Sequence, residues 1–227
     1  MRPKRDEASD WTYNIGEQVR TELINCKLDF CDHGKSKANR TAIEKCVKAN
    51  GVNVVLFFGH GTRFTLVGNA FSERSHSCTP IIDPLNVKEL CIDFIFSLAC
   101  NSARGLGIYA SKYNPCVRTF IGWNGPVALP VVFGNYPDQI ARALCSGLEE
   151  MIRNRAPAQK AIDIMKTEMD HVILKLAREV YKADLKVKAN PSTKNAVTLG
   201  DALITMACAQ SIKDYMYLGG DKRFTLY

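Results

Sequence analysis

Two apolar runs in this chain end on residues able to do nucleophilic chemistry. Residues 52–58 are followed by Gly59-His60-Gly61, and residues 92–98 by Ala99-Cys100-Asn101-Ser102. A thiol and an imidazole far apart in sequence but joined in space form a nucleophile–base pair. Gly61 has no Cβ, so its N–H can approach a substrate carbonyl closely. With the N–H of Cys100 it makes a candidate oxyanion hole. Ala99, Ser102 and Ala103 are small and leave room for a peptide. His76-x-Cys78 is a competing pair, but it lies in a Ser-rich loop with no strand to deliver it. Cys26, Cys31, His33 and Cys46 are metal-ligating types whose spacing fits no standard Cys-x-x-Cys pair. Cys46 falls on an expected helix, where it would face the core. Zinc is therefore not expected at this cluster. Asp163, Asp170 and His171 fall on an expected helix and read as solvated side chains.

The elements that would position these residues alternate between strand and helix. Helical spacing predicts a helix over 11–27, a short strand at 28–31 and a helix ending at Asn50-Gly51. The nearly continuous apolar runs 52–58 and 92–98 predict strands buried on both faces, as in a parallel sheet. Segment 62–84 is loop-like, with short strands near 64–67 and 79–82 and a helical turn near 85–90. A short helix is expected at 105–113 and a third strand at 117–121. A further strand is expected at 127–133, where Pro130 argues against a central position. Helices follow at 136–153 and 157–182, then a basic linker at 184–192 and a last helix at 193–217. This pattern predicts an α/β fold: a three-layer α/β/α sandwich with a mostly parallel sheet and a C-terminal helical extension. In such sheets ligands bind beyond the carboxyl ends of the strands, where His60 and Cys100 would lie.

Composition narrows the classes. The 227 residues suit one large domain, and 46% hydrophobic with 23% charged residues is ordinary for a globular protein. No apolar run is long enough to span a bilayer, and no secretory signal follows the charged N-terminus. Nine cysteines cannot all pair within one chain, so reduced thiols in the cytoplasm are expected. The net charge of +7 comes from scattered basic residues and reads as a solvated surface; direct nucleic-acid binding and membrane association are not expected.

Phe58-Gly59-His60-Gly61 and Ser97-Leu98-Ala99-Cys100-Asn101-Ser102 resemble the two catalytic blocks of caspase-fold cysteine peptidases, most closely the CHAT and gingipain-like branch. The order of His before Cys matches. Phe120-Ile121-Gly122-Trp123 is similar to the strand after the cysteine helix, and residues 12–165 map onto the fold. Two departures stand out: the caspase-type Gln-Ala-Cys-x-Gly is replaced, and residues 1–10 hold no first strand. The resemblance implies a peptidase domain over 1–183, with 184–227 as linker and a C-terminal helix packed on the same domain.

It also implies a cysteine endopeptidase with Cys100 as nucleophile and His60 as general acid–base, needing no metal and no organic cofactor. The substrate is then a protein or peptide, and proteolysis is limited and regulated, with a sensor or partner protein in control. The family's specificity pocket maps onto residues 2–11 and 122–127, giving Asp10, Trp123, Asn124 and Gly125 as substrate-binding candidates. Asp10 matches an acidic residue that pairs with a basic P1 side chain; Arg2, Lys4 and Arg5 would instead make an acid-binding pocket. Asp10 also reads as a cap for the helix at Trp11, and Trp123 as pocket wall or core. Arg63, Arg74 and Lys112 are candidate autoprocessing sites. The alternative is a catalytically inactive caspase-fold module that binds a partner peptide in the same groove.

Overall fold

The computed structural model describes residues 7–34, 37–71, 78–127 and 133–226. Helix α1 (Glu7–Asn25) leads through an irregular stretch to helix α2 (Arg40–Asn50). Asn39 caps α2 by accepting the Ala42 N–H at 3.0 Å. Gly51, at φ +64°, ends it in the left-handed region. Strand β1 (Val54–Phe58) follows, then β2 (His60–Gly61), β3 (Leu66–Phe71) and β4 (Cys78–Ile82). A short helix α3 (Pro84–Val87) has a capping box between Asp83 and Asn86. Next come β5 (Phe94–Leu98), a π-helical turn (Ala103–Gly107), helix α4 (Ile108–Tyr113) and β6 (Thr119–Trp123). Helices α5 (Tyr136–Asn154), α6 (Ala158–Ala189) and α7 (Thr193–Asp214) lead to a last strand, β7 (Met216–Gly220).

The main sheet has the order β1-β5-β6-β7. The first three strands are parallel and β7 is antiparallel to β6. The fold is thus mixed α/β with a mostly parallel sheet. Every residue of β5 and β6 is buried because both faces are covered. Phe94, Phe96 and Leu98 join Ile121 and Trp123 in one core, with side chains from α1, α5, α6 and α7. Val55, Phe57, Ile95 and Phe120 enter the other, against α2, α4 and the antiparallel β2-β3-β4 sheet.

Several elements differ from expectation. Helix α1 begins at Glu7 rather than at Trp11, so Asp10 lies within the helix and is not its cap. Residues 28–33 form no strand. The expected linker at 184–192 is mostly the end of α6, held by Asp184–Lys188 and Glu179–Lys182 ion pairs along the helix. The last helix stops at Asp214, and the segment beyond it adds a strand to the main sheet. The C-terminal region is therefore part of the sheet rather than a helical extension alone. Of the strand expected at 127–133, residues 128–132 lie outside the described residues. Among the described residues no helix is long and apolar enough to cross a membrane.

Candidate active site

Strands β1 and β5 run parallel with Phe58 opposite Leu98. Each strand therefore reaches the same end of the sheet two residues before its reactive side chain. The Gly59 N–H donates to the Leu98 carbonyl at 3.2 Å and extends the pairing by one residue. The chain then leaves the main sheet, and His60 and Gly61 pair with Val67 and Leu66. A Cβ on Gly61 would stand 2.8 Å from the Ala99 Cβ and 3.1 Å from the Cys100 carbonyl oxygen. The missing side chain at 61 is thus needed for the two strand ends to meet, whatever else its N–H does. His60 and Cys100 are both half-buried.

Beyond Cys100 the backbone turns sharply. Asn101 sits at φ +55°, a left-handed conformation that Asn tolerates better than most residues. Its N–H donates to the Gly125 carbonyl at 2.8 Å. The Cys100 Sγ receives the Val127 N–H at 3.2 Å, which sets a positive dipole against the sulfur. The π-helical turn that follows is tied to the hairpin after His60. The Leu106 N–H donates to the Arg63 carbonyl at 2.7 Å, and a Cβ on Gly105 would stand 2.5 Å from that same oxygen. The loop leaving His60 and the turn leaving Cys100 are therefore hydrogen-bonded and tightly packed against each other.

The other site candidates fare differently. Gly125 is tied to the residue after the thiol through its carbonyl and packs against the Tyr215 ring, while the exposed Asn124 donates its N–H to the Tyr215 carbonyl at 2.8 Å. Trp123 does not wall a pocket. It is fully buried, meets Phe96 edge-on at 5.7 Å and donates its indole N–H to the Ile212 carbonyl at 2.8 Å. Its candidacy for substrate binding is withdrawn, because a side chain enclosed by β5 and α7 cannot meet a ligand. Ala99, Ser102 and Ala103 are buried too. The Ser102 hydroxyl donates to the Ser97 carbonyl at 3.2 Å and accepts the Trp123 N–H at 3.3 Å, so these small residues serve packing rather than clearance for a peptide. Arg2, Lys4, Arg5, Arg74 and His76 lie outside the described residues. Asp163, Asp170 and His171 are exposed on α6, and Asp170 pairs with Lys213 at 2.6 Å.

The thiols sort by surroundings. None of the eight cysteines with described side chains forms a disulfide. Burial pushes Cys145 up to about 12. Burial, then its bond to Cys31, pushes Cys46 up to about 11. Desolvation also raises Cys26 and Cys208, and the neighbouring Cys91 raises Cys116. Such thiols hold little thiolate at neutral pH and make poor nucleophiles.

Three of the four metal-ligating types named from the sequence do meet, against the expectation that Cys46 simply faces the core. Cys31, His33 and Cys46 come together, with their ligand atoms all within 4.8 Å of one another. The His33 Nε2 lies 3.0 Å from the Cys46 Sγ. Burial lowers the pKa of His33. Cys26 stands apart and donates to Glu22 at 3.4 Å. The trio fits no Cys-x-x-Cys spacing because its members come from an irregular stretch and from a helix beyond it. The trio lines a cavity of about 560 Å³ between α1, α2 and β1, and neither His60 nor Cys100 lines it.

No family model, no curated protein and no solved structure matches the chain.

Proposed function

We propose that the protein is a cysteine endopeptidase of the caspase-like, CHAT- or gingipain-type class, with Cys100 as nucleophile and His60 as general acid–base. The observation that carries this reading is the in-register parallel pairing of β1 with β5, whose shared end leads into both residues. The ligand-binding end of a parallel sheet is the carboxyl end of its strands. The left-handed Asn101 directly after the thiol adds weight, since strained backbone collects at functional turns.

In the proposed reaction the Cys100 sulfur attacks the peptide carbonyl carbon. The carbonyl π electrons move to oxygen, where the N–H groups of Gly61 and Cys100 would hold the charge. The C–N bond breaks as His60 gives the thiol-derived proton to the leaving amine. Water, losing a proton to His60, then attacks the thioester; the acid leaves and Cys100 regains its proton. The rim at Asn124 and Gly125 would contact the peptide. Limited, partner-controlled proteolysis belongs to this reading through the resemblance alone, and a cytoplasmic setting through the odd number of cysteines.

A second reading is favoured by the packing: Gly61, Ala99, Ser102 and Ala103 are explained without a substrate, as in an inactive module that only binds peptide. Peptides with Arg, Lys, Asp or Leu at P1 separate the two. The peptidase hydrolyses at least one, and both Cys100→Ala and His60→Ala abolish the hydrolysis. Peptide binding with no cleavage of any substrate would support the inactive module.

A further inference from the structure

We propose that Cys31, His33 and Cys46 form a zinc site with three protein ligands and a fourth position open to the adjoining cavity. Two thiolates and one imidazole are a ligand set that zinc takes readily, whereas magnesium and calcium require oxygen. A zinc ion bonded at about 2.0–2.3 Å holds tetrahedral ligands roughly 3.5–3.8 Å apart. The three ligand atoms already lie within 4.8 Å of one another, so small side-chain movements complete the geometry. The present His33–Cys46 contact of 3.0 Å is a hydrogen bond. Zinc would replace its shared proton and part the two atoms by about 0.5 Å.

The scaffold around the trio is firm on one side. Cys46 is itself buried, on a helix fixed by its Asn39 cap and by Ile43 and Val47 in the core. Cys31 and His33 come from the irregular stretch after α1. That stretch is held to α1 by the Arg20–Asp32 ion pair at 2.9 Å. An ion at the trio would tie this stretch to α2 beside β1. The cavity supplies room for a fourth ligand: it is lined by the trio and by apolar Val19, Leu23 and Leu28. Three protein ligands with an open position are the arrangement found where zinc activates water or takes a small exogenous ligand. Neither reactive residue of the proposed peptidase dyad borders it, so the two sites stand or fall separately.

The test begins with full-length protein stripped by a chelator and titrated with zinc alone, against a competing colorimetric indicator. One equivalent binds, and the thermal midpoint rises with zinc concentration. Cys31→Ser, His33→Asn and Cys46→Ser each weaken binding by more than the roughly 10–100-fold that loss of an outer-shell partner costs. Circular dichroism of each variant confirms that it is folded, and Cys100→Ala binds as the unsubstituted protein does. Cobalt in place of zinc reports the ligands: a thiolate-to-cobalt charge-transfer band appears, and a small added thiol shifts it through the open position. Absence of binding, unchanged binding in the triple variant, or binding abolished by Cys91→Ser would overturn the site. A cobalt spectrum indifferent to added thiol would overturn the open fourth position.

Discussion

Substituting Gly61 with alanine tests how closely the two reactive strand ends approach. The new Cβ would meet the Ala99 Cβ at 2.8 Å and the Cys100 carbonyl at 3.1 Å, and neither atom can rotate away. Ordinary carbon contacts begin near 3.5 Å, so the strand ends must part by about 0.7 Å. Overpacking of this kind costs about 1–3 kcal/mol. For a chain of this size that is a fall of roughly 2–12 °C in the thermal midpoint. The same displacement moves His60 relative to Cys100, and a misplacement near 1 Å costs up to about 100-fold in rate. The rate at which a peptidyl thiol-reactive probe alkylates Cys100 reads that loss without knowledge of the natural substrate. Ala99→Gly removes the opposing methyl group and should restore much of both quantities in the double variant, because contacting residues are not additive. Unchanged midpoint and unchanged alkylation rate in Gly61→Ala would refute the close approach.

Three further outcomes follow from the packing and the charges. Trp123→Phe keeps an aromatic ring but removes the pyrrole part of the indole and strips the Ile212 carbonyl of its donor, costing at least about 1–3 kcal/mol in chemical unfolding while leaving peptide affinity unchanged; a selective loss of peptide binding would return Trp123 to the pocket. Glu22 is held below the usual carboxylate range by its two-pronged bond to Arg153, so its contribution is complete above pH 4.5 and is lost as pH falls through its lowered folded value. Glu22→Gln should flatten that acid limb of a stability–pH curve, and an unaltered limb counts against the pair. Cys91 and Cys116 lie with sulfurs 3.1 Å apart near the surface, so mild oxidant should link them first, with loss of two hydrogens by mass spectrometry and no change in Cys145.

Much of the sheet was legible because continuous apolar runs leave a strand few alternatives. The runs at 52–58 and 92–98 became β1 and β5, and their shared end carries the candidate site. The strand β7 was hidden. Its Gly219 and Gly220 have poor strand propensity, and they are tolerated because the chain packs tightly: a Cβ on Gly220 would stand 2.0 Å from the Arg118 carbonyl. The basic stretch after residue 183 reads as linker by charge, yet lysine and alanine are good helix formers and α6 continues through it. Trp123 was ambiguous because strand alternation does not say which face carries a ligand. The residue types of the Cys31, His33 and Cys46 grouping were legible but its geometry was not: no standard spacing joins them, and only tertiary packing brings an irregular stretch against one face of α2.

The central claim concerns one thiol among nine. Its most direct test is to treat the protein with an irreversible peptidyl electrophile at neutral pH, digest it and map the adduct by mass spectrometry. The account predicts a single adduct on Cys100, formed far more slowly in His60→Ala and absent in Cys100→Ala. Labelling centred on any other cysteine, or equal labelling with and without His60, would contradict it.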